Sequence, residues 1–187
     1  MNGIKATFGK PNSLCKPMLK QNLCLIMENS DLEIWMWDRG GCFLFFDGAS
    51  KGNLGRVGGG GVVINPRGKV EIEYFWNIGY DSNNMVEAYG LWQGLKKLQK
   101  KGVDEVMVIG DSRLIIRVVN GGRRGKNERT ERMINRIRSM AKIFRKIEFF
   151  HVLRELNVLA DIAANKSIAV GCYDLIVNSI VSMDIPP

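Results

Sequence analysis

The sequence predicts an α/β domain built on a five-stranded mixed sheet with helices packed on it, in the order βββαβααβα. Two observations carry that reading. Three apolar runs follow one another between residues 42 and 78 with only turn residues between them, as consecutive antiparallel strands do. Beyond residue 83 the apolar residues switch to helical spacing, interrupted by two further short apolar runs, so the later strands are separated by helices.

Each element has its own signal. "CFLFFD" (42–47) reads as a buried strand, "GGGGVVI" (58–64) as a second and "KVEIEYFWNI" (69–78) as a third, with "NPRG" (65–68) as a tight turn between the last two. "DSNN" (81–84) offers several N-cap candidates for a helix with Ala88, Leu91, Leu95 and Leu98 on one face and Gly102 as its stop. "DEVMVIG" (104–110) is a fourth strand, and "SRLIIRVVNGG" (112–122) a short helix ended by glycines. A longer helix over 127–146 places Met133, Ile137, Met140 and Phe144 on one stripe. "IEFFHV" (147–152) is the fifth strand, and Asn157 can cap a final helix, "VLADIAANKSIAV". Residues 1–40 lack sustained periodicity and are expected to be a poorly ordered extension with a short element around "LEIWMW". The domain then covers 41–170, and 171–187 is a tail.

Composition narrows the class. With 187 residues, 45% hydrophobic and 25% charged, one domain with a real core is expected. No charged-then-apolar leader opens the sequence, and no apolar run approaches the ~20 residues that span a bilayer. An intracellular protein, nuclear or cytoplasmic, is therefore expected, without membrane contact. The four cysteines form no CxxC pair, which argues against zinc and for reduced thiols. Charge is distributed unevenly. Between residues 117 and 146, eleven Lys and Arg stand against Glu128 and Glu131, a local +9 in a chain whose total is +8. One segment holds the excess, which points to a polyanion such as nucleic acid.

Four carboxylates then require explanation. Asp47 ends an apolar run, where an ordinary turn is the plainer reading; Asp111 follows a buried strand, where it could cap a helix. Glu87 shares a helical face with Leu91, Gly94 and Leu98, and a carboxylate leaning into a core needs a partner. Asp161 lies one turn into the last helix, where the dipole alone would favour it. If the fourth strand pairs beside the first, all four can meet. Four anions repel one another unless a cation joins them, and an all-oxygen ligand set selects Mg²⁺ or Mn²⁺. Two ions about 4 Å apart would support in-line phosphodiester displacement. Crowding should raise at least one carboxyl pKa, Asp47 first.

At this point the motifs acquire a family. "DGAS" with the glycine-rich stretch after it, "NNMVEA", "GDSRLII" and "HVLRELNVLAD" occur in order, and the stretch 42 to about 169 resembles the ribonuclease H domain, in the plant variety related to retroelement reverse transcriptases. The resemblance implies a ribonuclease H-like fold and Mg²⁺-dependent hydrolysis of the RNA strand of RNA–DNA hybrids. It makes Asp47, Glu87, Asp111 and Asp161 the metal ligands and His151, the chain's single histidine, a mobile helper in proton transfer or product release. Asn83 and Asn84 would touch the hybrid's minor groove, where the 2′-hydroxyl marks RNA. Arg113 stands where family members use glutamine against nucleic acid. Arg132, Arg136 and Arg138 would grip phosphates, and the glycines after Asp47 would let the nucleic-acid backbone come close. A monomer is expected. The alternative is a catalytically retired, domesticated module that binds nucleic acid without cutting it.

Overall fold

Apolar residues alternate along the first core strand, and that alternation sorts the protein into three layers. In the computed structural model, which describes residues 23–24, 29–50, 56–121, 127–169 and 176–178, this strand is β2 (Cys42–Ser50). It is preceded by a two-residue strand β1 (Leu23–Cys24) and helix α1 (Asn29–Arg39). Then follow β3 (Val57–Ile64), β4 (Val70–Gly79), α2 (Asn83–Lys100), β5 (Glu105–Gly110), α3 (Arg113–Val119), α4 (Glu128–Ala141), β6 (Lys146–His151), a 3₁₀ turn (Arg154–Leu156), α5 (Val158–Ala169) and β7 (Ile176–Asn178). Leu44 and Phe46 face a core shared with α2, α3 and α4. Phe43 and Phe45 face the opposite core, closed by α1 and the start of α5.

The strands lie in the order β1-β6-β5-β2-β3-β4-β7. The five expected strands form its centre: β2, β3 and β4 pair antiparallel, while β5 pairs parallel with both β2 and β6. Two short strands extend the edges, β1 parallel to β6 and β7 antiparallel to β4. Turn chemistry places the hairpin and the helix stop. Gly68 (φ +75°) closes the "NPRG" turn, its amide bonded to the Asn65 carbonyl at 2.9 Å. Gly102 (φ +72°) ends α2, and the next amide, Val103 N–H, reaches back to Leu98 O at 3.1 Å.

Two expectations are corrected here. Residues 29–39, assigned to a poorly ordered extension, form α1. Leu32 is 5% exposed among Phe43, Phe45 and Phe150, and Trp35 stacks edge-on to Phe150 at 5.0 Å. The helix is weakly amphipathic as a sequence, so its order comes from that contact, which local periodicity does not encode. Residues 1–22 lie outside the described residues.

The second correction concerns glycine. Gly58–Gly61 are buried residues of β3 with no room for nucleic acid. A Cβ on Gly59 would lie 2.9 Å from Val86 O on α2, and one on Gly60 would lie 2.6 Å from Ala164 N on α5. These glycines admit two helices, one on each face of the strand, at backbone contact. Gly52 and Gly55 lie outside the described residues. Among the described residues, no helix is long and apolar enough to cross a membrane.

Candidate active site

The parallel ladder between β2 and β5 ends at the pair Phe46 and Gly110. Asp47 and Asp111 are the next residues, on neighbouring strands about 5 Å apart. Glu87 arrives from the first turns of α2, which approaches closely because Gly90 lacks a side chain: a Cβ there would sit 2.8 Å from Asp47 O. The opposite side of Gly48 is equally tight, with Glu87 N at 2.8 Å from an added Cβ. Asp161 comes from the first turn of α5, and α5 packs on β3 through the glycines. All four expected carboxylates thus border one end of the sheet.

Their electrostatics show mutual proximity. Asp47 is 4% exposed. Burial first, then the negative charge of Asp111, and more weakly those of Glu87 and Asp161, push its carboxyl up to about 7, against a downward pull from the Gly48 amide that donates to Oδ1 at 2.7 Å. Glu87 also rises to about 7, mainly by burial and with a contribution from Asp111, while a Ser112 hydrogen bond and Arg154 pull it down. Glu87 Oε2 is buried without a hydrogen-bond partner. Such an oxygen is costly unless something positive meets it.

Nearby groups hold these acids in place. Asn157 was expected to cap α5 with its side chain; instead its Nδ2 donates to Asp111 Oδ1 at 2.8 Å and to Phe46 O at 3.0 Å. It is fully buried, and it ties the fourth carboxylate-bearing loop to the last carbonyl before Asp47. Ser112, not Asp111, caps α3, accepting from Ile115 N–H. His151 Nε2 donates to Asp111 O at 3.1 Å, and burial together with Arg113 lowers its pKa. Arg154, which the sequence reading missed, donates to Asp161 Oδ1 at 2.8 Å, and Asp161, Asp47 and Asp111 raise its pKa further. Its signal was present: it lies two turns before Asp161 within the same motif.

The donor set fits a hard divalent cation, since it is all oxygen, partly buried and short of positive charge. Among the described residues, however, no three Asp, Glu, His or Cys side chains are already drawn around one ion position. Mutual repulsion and the Arg154 pair, which holds Asp161 to one side, account for that spread.

The expected nucleic-acid contacts divide. Ser82 is the N-cap of α2, so Asn83 and Asn84 are its first helical residues rather than caps, beside the carboxylate end of the sheet. Arg113 opens α3 next to His151. Arg136 is exposed on α4, 6.0 Å from the Trp92 ring, and Arg132 pairs with Glu128 at 3.3 Å while remaining 68% exposed. Arg138 is turned inward: it donates to Val118 O at 2.6 Å and to Glu131 at 3.4 Å. It joins α4 to the end of α3 and does not present its charge outward. The +9 segment is moderated as well, because acids outside it reach its ends: Asp81 meets Arg129 at 2.9 Å, Glu105 meets Arg145 at 2.6 Å and Glu148 meets Lys146 at 3.4 Å.

Residues 45–167 match the reverse transcriptase-like family, and the ribonuclease H1 of Halobacterium salinarum superposes with a TM-score of 0.66 at 30% identity, covering 70% of this chain and 98% of that one. The chain belongs to the ribonuclease H family. A second member of the family, the LC11 ribonuclease H1 solved in complex with an RNA/DNA hybrid, is 31% identical over 68% of this chain and 96% of its own, with a TM-score of 0.64. A bifunctional protein of Mycobacterium tuberculosis is 34% identical over 120 residues. That match spans 64% of this chain but only a third of the mycobacterial protein. Chemistry in this family depends on a divalent metal, in agreement with the oxygen-rich site.

Proposed function

We propose that this ribonuclease H domain is a metal-dependent endonuclease that hydrolyses the RNA strand of RNA–DNA hybrids. One observation carries the reading: four carboxylates from β2, α2, the end of β5 and α5 border one site, and two of them are held near pKa 7 by burial and by one another. The hybrid-bound LC11 relative supports the substrate class.

Asp47, Glu87, Asp111 and Asp161 would hold Mg²⁺, two ions in the full site, with Mn²⁺ as a substitute. When bound, the metal supplies positive charge to the phosphate and to the leaving oxygen of an in-line displacement. The chain's own residues do the rest. Asn157 fixes the Asp111 carboxylate against the strand carrying Asp47. The buried Glu87 Oε2 keeps a lone pair directed at the site instead of being spent on the protein. His151, hydrogen-bonded to the backbone of Asp111 at 3.1 Å, is placed to carry a proton or assist product departure. Asn83 and Asn84, at the entrance end of α2, are placed to read 2′-hydroxyls, and Arg113, Arg132 and Arg136 to meet phosphates.

The test is incubation of the purified protein with a labelled hybrid in Mg²⁺, in Mn²⁺ and in EDTA, beside Asp47→Asn. Metal-dependent cutting of the RNA strand, lost in the variant, is the expected result. Arg154 closing on Asp161 favours one alternative, a module that grips hybrids without cutting. Salt-sensitive binding with no cleavage by the wild type would select it.

A further inference from the structure

Helix α5 is apolar on both sides. Ala160, Ala163 and Ala164 are fully buried against the sheet, yet Val158, Leu159 and Ile162 on the outward side are 49%, 45% and 47% exposed. A helix with one face in solvent ordinarily carries polar residues there. Beside it α1 leaves Trp37 75% exposed. Between the two helices runs a groove of about 730 Å³, floored by Phe43, Ile64 and Val70 and walled by Trp37, Val158 and Leu159.

The direction of the chain says what can reach it. Strand β7 runs antiparallel to β4, with Ile176 opposite Phe75 and Asn178 opposite Glu73. Continued along β4, the chain passes Glu71 and arrives at Val70, in the groove floor, after about three residues. Six more, at ~3.3 Å each, span about 20 Å. The segment concerned is "SIVSMDIPP" (179–187). Ile180, Val181, Met183 and Ile185 are apolar, and the paired prolines disfavour a helix and suit an extended strap. Its one charge, Asp184, has a counterpart in Arg67 at the groove wall.

We propose that residues 179–187 fold back along the β4 edge and seat their apolar side chains in the groove between α1 and α5. The strap braces α5 at the turn that begins with Val158 and presents Asp161, so it supports the geometry of the carboxylate site from behind. The reading does not depend on the catalytic one.

A chain ending at Asn178 and a full-length Ile180→Asp, Met183→Asp double variant test it against the intact protein. The readouts are binding of the dye ANS and hydrogen exchange in peptides covering Asn29–Arg39 and Val158–Ala169. The intact chain should bind little dye; both variants should bind severalfold more and exchange about tenfold faster in those two helices. Peptides from β2 and β5 should stay protected, which shows that the fold persists. If the shortened chain does not fold, the double variant decides alone. Unchanged dye binding and exchange in the double variant would overturn the proposal. So would groove protection in the intact chain that rises with protein concentration, because a second copy would then be the occupant.

Discussion

Asp47→Asn should stabilise the metal-free protein. The Asp47 carboxyl is raised from its ordinary 3.8 to about 7 in the folded state. Below the unfolded value both states hold the proton and nothing is lost. As pH rises from about 4 to 7 the unfolded chain releases its proton first, the folded state binds more protons than the unfolded one, and stability falls. Above pH 7 the loss is complete, at about 4 kcal/mol from ~1.4 kcal/mol per pH decade. Asparagine keeps the shape and can still accept from the Gly48 amide, but it carries no charge toward Asp111. In EDTA at pH 8 the variant should therefore gain up to about 4 kcal/mol, which for a chain of this size is roughly 8–16 °C in Tm. Melting followed by circular dichroism at pH 5 and pH 8 is sufficient. The wild type should lose stability between these values and the variant should lose less, because only Glu87 retains the same penalty. Mg²⁺ should stabilise the wild type more than the variant. A variant no more stable than wild type at pH 8 in EDTA would refute the crowded-carboxylate account.

Gly60→Ala should destabilise the protein by about 3 kcal/mol, since the new methyl meets the Ala163–Ala164 backbone of α5 at 2.6–2.7 Å; urea denaturation checks it, and an unchanged midpoint would contradict the helix-admitting role of the glycines. Arg138→Gln should cost about 1 kcal/mol through the lost Val118 contact while leaving hybrid affinity unchanged. Arg136→Gln should do the reverse, sparing stability and lowering the salt slope of hybrid binding by about 1. His151→Ala should slow steady-state turnover by about ten- to a hundredfold, with a smaller loss in single-turnover cleavage; equal losses in both would argue against a role in product departure.

Strand and helix order was legible in the sequence because each of the five central strands and the helices after them carries its own period. The candidate carboxylates were legible for a different reason: Asp47 interrupts an apolar run and Glu87 leans toward an apolar stripe, and both are local violations of an otherwise consistent pattern. Residues whose roles depend on partners far along the chain were not. Asn157 looked like a cap until the fold placed Asp111 and Phe46 beside it, 46 and 111 residues away in sequence. Arg138 looked like surface charge until α3 ended against it, and Arg154 became part of the site only when α5 turned Asp161 toward it. The glycines of β3 read as permission for a ligand's approach, and tertiary packing gave that space to two helices. Periodicity and local chemistry travel with the sequence, whereas the partner of a hydrogen bond or the neighbour of a missing Cβ is settled only when distant segments are packed together.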